Sequence, residues 1–293
     1  MATIAEQLTS LANTKTAIKD AIVAKGVTVA DTDPFSAYPA KISQIQAGGG
    51  GAPATKFGVS IDNLIGNVDE NGVYKKPTEP IVLDLTGVKE LPSSAFIYKF
   101  VFADDVTINA TDLTTIGSSA FEKACFAAKK ITARFDSLEE IVSSGVFKGA
   151  FEGGAYADQV YDVVFGKLKK ITGSNAFAYC FDKGTVDLDY TFPALEEIQA
   201  DSCFYSLETG TYRLSKVKKI IGPSSKSSAT IYPSKWGTLD FYLPSATELG
   251  GYVTNARSSY KCNLHFAAAN QAAIEACSGY EYKFGATEIY FDL

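Results

Sequence analysis

The chain has 293 residues, 46% of them hydrophobic, with a formal net charge of -6. That apolar content suffices for a core of one or two ordinary domains. The acidic balance and the lack of any Lys/Arg block argue against a nucleic-acid surface, and no run approaches the roughly 18 apolar residues of a membrane span.

The start, MATIAEQLTSLANTK, is polar and amphipathic where a signal peptide needs a basic end and an apolar stretch. The expected place of synthesis and folding is therefore a cytoplasm. Residues 3–25 predict a helix ended by Gly26. Ile4, Leu8, Leu11, Lys15, Ile18 and Ile22 fall at alternating spacings of 4 and 3, the seam of a coiled coil interrupted by Lys15. A stripe this short is unstable as an isolated helix. It must pack on a neighbouring segment of the same chain or assemble a small parallel oligomer, with a trimer as the preferred form. Ile4, Leu8, Leu11, Ile18 and Ile22 are the candidate oligomerisation residues.

A second helix start follows, with Asp33 as cap and Pro34 in the first turn. Phe35, Tyr38, Ile42 and Ile45 would supply its apolar face, and Pro39 a break or kink. Four consecutive glycines then open a flexible joint over residues 47–56. A phosphate loop is not indicated, because no GK[ST] follows; Gly222-Pro223 fails the same test. The organisation expected is a helical oligomerisation and attachment segment (1–46), a linker (47–56) and a repeat domain (57–293). Residues 57–80, with a turn at 69–72, and about 262–293 would serve as its caps.

The repeat is clearest at Leu113-Thr-Thr-Ile116-Gly-Ser-Ser-Ala120-Phe121-Glu-Lys-Ala-Cys125-Phe126. Related copies begin at Val88, Leu138, Leu168 and Leu195, each with an apolar residue three positions on and a small residue before Phe. Strand-like runs precede them at 81–85, 106–110, 131–135, 161–165 and 186–190. The anchors are 25, 25, 30 and 27 residues apart, and a self-similar unit of this length means a solenoid. Val217-Lys-Lys-Ile220 and Leu243–Leu249 continue it without the Phe arm. The close predicts a strand at 263–266, a helix at 267–277 and a strand at 288–293.

Residues suited to chemistry are sparse. Cys125, Cys180, Cys203, Cys262 and Cys277 are odd in number and show no CxxC spacing. Three of them neighbour a Phe, as suits a small packed thiol. With His265 the one histidine, neither a metal site nor an imidazole base is indicated. The pairs Glu139-Glu140 and Glu196-Glu197 share a slot that holds Lys-Lys in other copies, which points to a solvated turn rather than a tuned carboxylate dyad. Sixteen tyrosines invite a carbohydrate platform. Most fall on core or strand positions of the repeat, and Tyr156, Tyr161, Tyr205, Tyr212, Tyr252 and Tyr260 are the ones whose exposure decides.

The pattern Leu-x-x-Ile-x-x-x-Ala-Phe-x-x-Cys-Phe resembles the BspA-type (Treponema-type) leucine-rich repeat over about residues 81–250, with Leu168–Phe181 the best copy. Residues 11–45 and 264–293 are similar to the ends of tail and fibre proteins from bacteriophages and prophages of gut bacteria. The resemblance implies a short α-helical segment with coiled-coil spacing, followed by a leucine-rich-repeat solenoid of parallel strands with turns and short helices. It further implies a non-enzymatic virion protein, made in the host cytoplasm, without cofactor or metal. Its N-terminus would join other virion proteins as a homo-oligomer, and its repeats would contact a host surface protein or glycan. Tail and head locations both remain open. The alternatives are a bacterial surface adhesin and a polysaccharide depolymerase.

Overall fold

The computed structural model describes residues 3–23, 29–30, 32–38, 41, 55–56, 59–60, 77, 79–101, 103–125, 127–151, 160–181, 186–234, 237–257 and 259–293. The chain divides into two compact units, Met1–Lys56 and Phe57–Leu293.

In the first unit, helix α1 spans Ile4–Val23. Thr3 and Glu6 start it as a reciprocal box: the Thr3 N–H donates to Glu6 Oε2 at 2.7 Å, and the Glu6 N–H to Thr3 Oγ1 at 3.3 Å. Ile22 is buried with Val29 and Tyr38, and Ile18 packs against the same cluster. The Lys15 ammonium sits 5.8 Å from the Tyr38 ring centre, and Phe35 meets that ring edge-on at 5.1 Å. Asp33 does not cap the following turn as expected. Its carboxylate instead accepts from the Ala30 N–H at 2.9 Å, and the 3-10 turn Phe35–Ala37 begins behind Pro34 without a side-chain cap. Gly26, Pro39, Ile42, Ile45 and the glycine run lie outside the described residues.

Two short strands, β1 (Thr55–Lys56) and β2 (Val59–Ser60), come before the regular repeats. From residue 81 the second unit is a solenoid of about eight turns built on parallel strands. Each coil has three recurring stretches. The first is a strand with alternate residues buried, as period-2 patterning requires. Strands β3 (Ile81–Asp84), β5 (Asp105–Asn109), β7 (Lys130–Arg134) and β9 (Val160–Val164) form one parallel sheet. A second contains β13 (Gly210–Arg213), β16 (Gly237–Leu243), β18 (Tyr260–Phe266) and β19 (Glu288–Tyr290). The second stretch is a two- or three-residue strand at each Leu-x-x-Ile. Strands β4 (Glu90–Leu91) and β6 (Thr115–Ile116) pair together, and β8 (Glu140–Ile141), β10 (Lys170–Ile171), β11 (Glu197–Ile198), β14 (Lys219–Ile221) and β17 (Glu248–Gly250) form a five-stranded sheet.

The third stretch, which carries the Phe arm, is a chain of tight turns that gives way in two later coils to the paired strands β12 (Phe204–Leu207) and β15 (Ile231–Pro233). In the coil at residues 117–125, one set of N–H groups closes turns within the coil (Ala120 to Gly117, Glu122 to Ser119, Ala124 to Phe121). The alternate set donates to the next coil (Ser119 to Ser144, Phe121 to Val146, Lys123 to Lys148, Cys125 to Ala150). Every fourth residue is then left-handed: Ser94, Tyr98, Ser119, Lys123, Gly145, Gly149, Asn175, Tyr179, Ser202 and Ser206 have φ between 50° and 68°. Small polar residues or glycine fill most of these slots, as this region of conformational space favours.

These backbone bonds place equivalent side chains on top of each other. Phe96, Phe121, Phe147, Phe177 and Phe204 form one stack with centroids 5.2, 5.3, 5.3 and 5.9 Å apart. Phe135, Phe165 and Phe192 form a second, at 4.7 and 5.3 Å. The two stacks meet edge to face, with interplanar angles of 76° and 77° where Phe147 touches Phe135 and Phe165. Both geometries are favourable for aromatic quadrupoles.

Residues 186–190, expected to be a strand, instead contribute helix α2 (Leu188–Thr191). The cause is local. Asp187 accepts from the Tyr190 N–H as an N-cap, and Asp is a poor strand residue. The short helix still fills its place in the stack, since the Phe165 N–H reaches the Thr191 carbonyl at 2.8 Å. A side-chain clasp secures the step. Arg134 Nη2 donates to both Asp162 carboxylate oxygens at 2.8 Å, and the Tyr190 hydroxyl donates to Asp162 Oδ1 at 2.7 Å.

Two predictions follow from this packing. Phe147 contacts rings in both stacks, so Phe147→Ala should cost about 3–5 kcal/mol of unfolding free energy in a denaturant titration. Asp162 has its carboxyl held below the usual carboxylate range, first by the Arg134 hydrogen bonds and then by Tyr190. A depressed folded pKa means the stabilisation is complete above the unfolded value of about 3.9 and is lost as pH falls through the folded value. Asp162→Asn should therefore lower the Tm at pH 7, with the gap to the native chain closing progressively below about pH 4.

Candidate functional site

The helix stripe proves to have two halves. Ile22 is 2% exposed and Ile18 half-buried, both engaged with Val29 and Tyr38 inside the first unit. Ile4, Leu8 and Leu11 are 77%, 62% and 56% exposed. The role of this face therefore changes between Leu11, which is exposed, and Ile18, which is half-buried.

On the repeat body, the turn side carries a column of tyrosines. Tyr179 and Tyr205 lie 5.0 Å apart, Tyr205 and Tyr232 stack at 4.5 Å, and Tyr232 and Tyr260 are 5.7 Å apart. The Tyr260 hydroxyl donates to the Tyr232 oxygen at 2.6 Å. The Arg257 guanidinium lies 5.7 Å from the Tyr232 ring centre, within cation–π range. The close Tyr205–Tyr232 stack covers ring faces, so its outward offering is mainly ring edges and hydroxyls. Of the tyrosines singled out from sequence, Tyr205 and Tyr260 belong to this column. Tyr252 is half-buried and pairs with Tyr282 at 4.7 Å. Tyr161 packs against the core, Tyr212 is buried, and Tyr156 lies outside the described residues. Tyr179 and Tyr232 were missed. Their spacing of 26, 27 and 28 residues through Tyr205 to Tyr260 matches the coil length and was the available signal.

The charged pairs of the Leu-x-x-Ile slot are organised by register. Glu140, Lys170, Glu197, Lys219 and Glu248 face one another on successive strands. Lys170 lies 3.5 Å from Glu197, and Lys219 lies 2.7 Å from Glu248. Beside them, Glu139 pairs with Lys169 at 3.2 Å and Glu196 with Lys218 at 2.9 Å. The sign alternates because like charges directly opposite on neighbouring strands repel. The residues are exposed or half-buried, and the arrangement is an ion ladder rather than an acid–base dyad.

His265 sits on β18 between the rings of Tyr242 and Tyr290, at 4.3 and 4.8 Å. Asp292 lies 3.0 Å from its Nδ1 and Asp240 3.3 Å from its Nε2. Every partner is thus a ring or a carboxylate, and the cluster ties the final strand to its neighbours. Among the described residues, no group of three or more His, Cys, Asp or Glu side chains is placed to hold a metal ion. Nor is any described helix long and apolar enough to cross a membrane.

The five thiols are free. Cys180 donates to the Phe147 carbonyl at 2.6 Å. Burial pushes the Cys125 and Cys262 thiols up to about 12 and raises Cys203 as well. Such thiols remain protonated and unreactive. A thiol reagent should therefore label at most Cys277, which is half-buried, in the native protein, and all five cysteines after denaturation. Rapid native labelling of two or more would contradict the packing described. No protein-family model, curated protein or solved structure matches the chain.

Proposed function

We propose that the chain is a non-enzymatic structural and adhesive component of a bacteriophage particle, a tail or head fibre. Its N-terminal helix would assemble the chains as a trimer and attach them to other virion proteins. Its repeat body, of leucine-rich-repeat type, would contact a protein or glycan of the host surface. The virion is then the site of action, after synthesis in the host cytoplasm.

The observation that carries this reading is the solvent-facing trio Ile4, Leu8 and Leu11, 56–77% exposed on α1. Their spacing continues a coiled-coil seam whose lower residues, Ile18 and Ile22, are already covered within the unit. Burying three apolar side chains against their counterparts on other copies removes that surface from water. It also stabilises a helix end that is marginal alone. The solenoid supports the adhesive half of the reading, because its stacked coils hold outward side chains at fixed intervals. Several copies on one fibre would gain by avidity from individually weak contacts.

The deciding measurement is the native mass of the intact protein beside that of residues 57–293. The expected outcome is a trimer for the first and a folded monomer for the second, with Leu8→Asp or Leu11→Asp in the intact chain dissociating the trimer. A monomeric intact chain would remove the helix from the fibre reading.

A further inference from the structure

The chain has three arginines. Arg134 is committed to Asp162 at 2.8 Å, and Arg213 lies 3.8 Å from Asp189. Arg257 is exposed and makes no ion pair among the described residues. It is nonetheless held in place. Its Nε donates to Asn255 Oδ1 at 3.4 Å, and Asn255 is itself 1% exposed. Its guanidinium sits over the Tyr232 ring. The backbones of Arg257 and Tyr260 bond to each other in both directions, at 3.0 and 3.3 Å, closing a tight hairpin. One edge of the guanidinium is therefore occupied, while among the described residues its two terminal nitrogens keep their four N–H donors available.

The neighbours sharpen the chemistry. Tyr260 spends its hydroxyl proton on Tyr232, which leaves the Tyr232 proton to donate elsewhere. Tyr205 stacks on Tyr232 and brings a third hydroxyl. A fixed fork of N–H donors matches the paired oxygens of a carboxylate or phosphate, and a lysine ammonium lacks that geometry. The flanking hydroxyls and ring edges suit a ligand that is itself rich in hydroxyls and C–H faces.

We infer that Arg257, positioned by Asn255 and flanked by Tyr205, Tyr232 and Tyr260, binds an anionic cell-surface polysaccharide through its carboxylate or phosphate groups. This inference rests on the reading of the repeat body as the part that contacts the host surface. A polysaccharide repeats its anion along its length, so copies of Arg257 on one fibre could engage one polymer together.

The test uses the full chain on immobilised polygalacturonate, on a glycerol-phosphate polymer and on neutral dextran. Binding to one or both anionic polymers and not to dextran is expected, and the preferred polymer identifies the anion. Arg257→Gln should weaken that binding about 10- to 100-fold, as the loss of charged hydrogen bonds implies. Arg257→Lys, which keeps the charge without the fork, should recover only part of it. Native mass and melting temperature of the same samples report assembly and folding separately. A trimer that binds neither anionic polymer, binds dextran equally well, or is indifferent to Arg257→Gln would overturn the inference and leave the fibre reading standing. A monomer would count against the fibre reading itself.

Discussion

The bond from each coil's backbone to the next is the constraint on which the repeat body depends. It runs through the strands and continues through the turn arm, where alternate N–H groups at 119, 121, 123 and 125 cross to the following coil. Parallel strands so joined lie about 4.8 Å apart. A side chain at a given slot must therefore sit within reach of its equivalent one coil away. The centroid separations of the main Phe stack, 5.2–5.9 Å, are that spacing seen through tilted rings. The turn arm meets the constraint only by placing every fourth residue in the left-handed region, a conformation that costs a non-glycine residue something of order 1 kcal/mol. The stacked core and the inter-coil bonds offset it.

The same register governs the surface. Two acids on successive strands would face each other, and the slot at Glu140, Lys170, Glu197, Lys219 and Glu248 instead alternates in sign. Each exposed pair is worth little alone, typically below about 1 kcal/mol. The alternation matters more as a penalty on wrong registers, since a strand slipped by one coil would bring like charges together. Tyrosines at another slot necessarily become a column. The charged and tyrosine side chains of this body are thus set in columns.

Much of this was legible in the amino-acid sequence, because a stacked coil writes its core as a period. The Leu-x-x-Ile anchors and the Phe arm mark the short strands and the aromatic stack, and the runs before them mark the longer strands. The failures have specific causes. Residues 186–190 carry apolar residues at strand-like intervals, but Asp187 caps a helical turn there. Local hydrogen bonding by one side chain outweighed the pattern. Interchangeable charge at Glu139-Glu140 and Lys169-Lys170 was read slot by slot, and the alternation appears only when neighbouring strands are set side by side. The α1 stripe offers its residues on both sides of Lys15 alike for assembly, whereas Tyr38 and Val29 cover Ile18 and Ile22. Sequence spacing finds an apolar face without saying what lies against it. Arg257 carried no signal at all, being one cation in a polar stretch.

The position of Arg257 follows from the limits of the column rule. A charged residue on a strand slot must be matched by its neighbours, as Lys170 and Lys219 are, and a matched charge has little left to offer a ligand. The chain leaves the ladder between 257 and 260, where an antiparallel bridge interrupts a body whose long strands pair in parallel. On that hairpin the guanidinium needs no counter-charge one coil away. It borrows the Tyr232 face and the Asn255 side-chain amide oxygen for support instead. A solenoid coil answers only to its immediate neighbours, so such a departure disturbs little beyond them. Recognition by a repeat body of this kind is expected where the backbone steps out of register, with the regular columns supplying a rigid edge beside it.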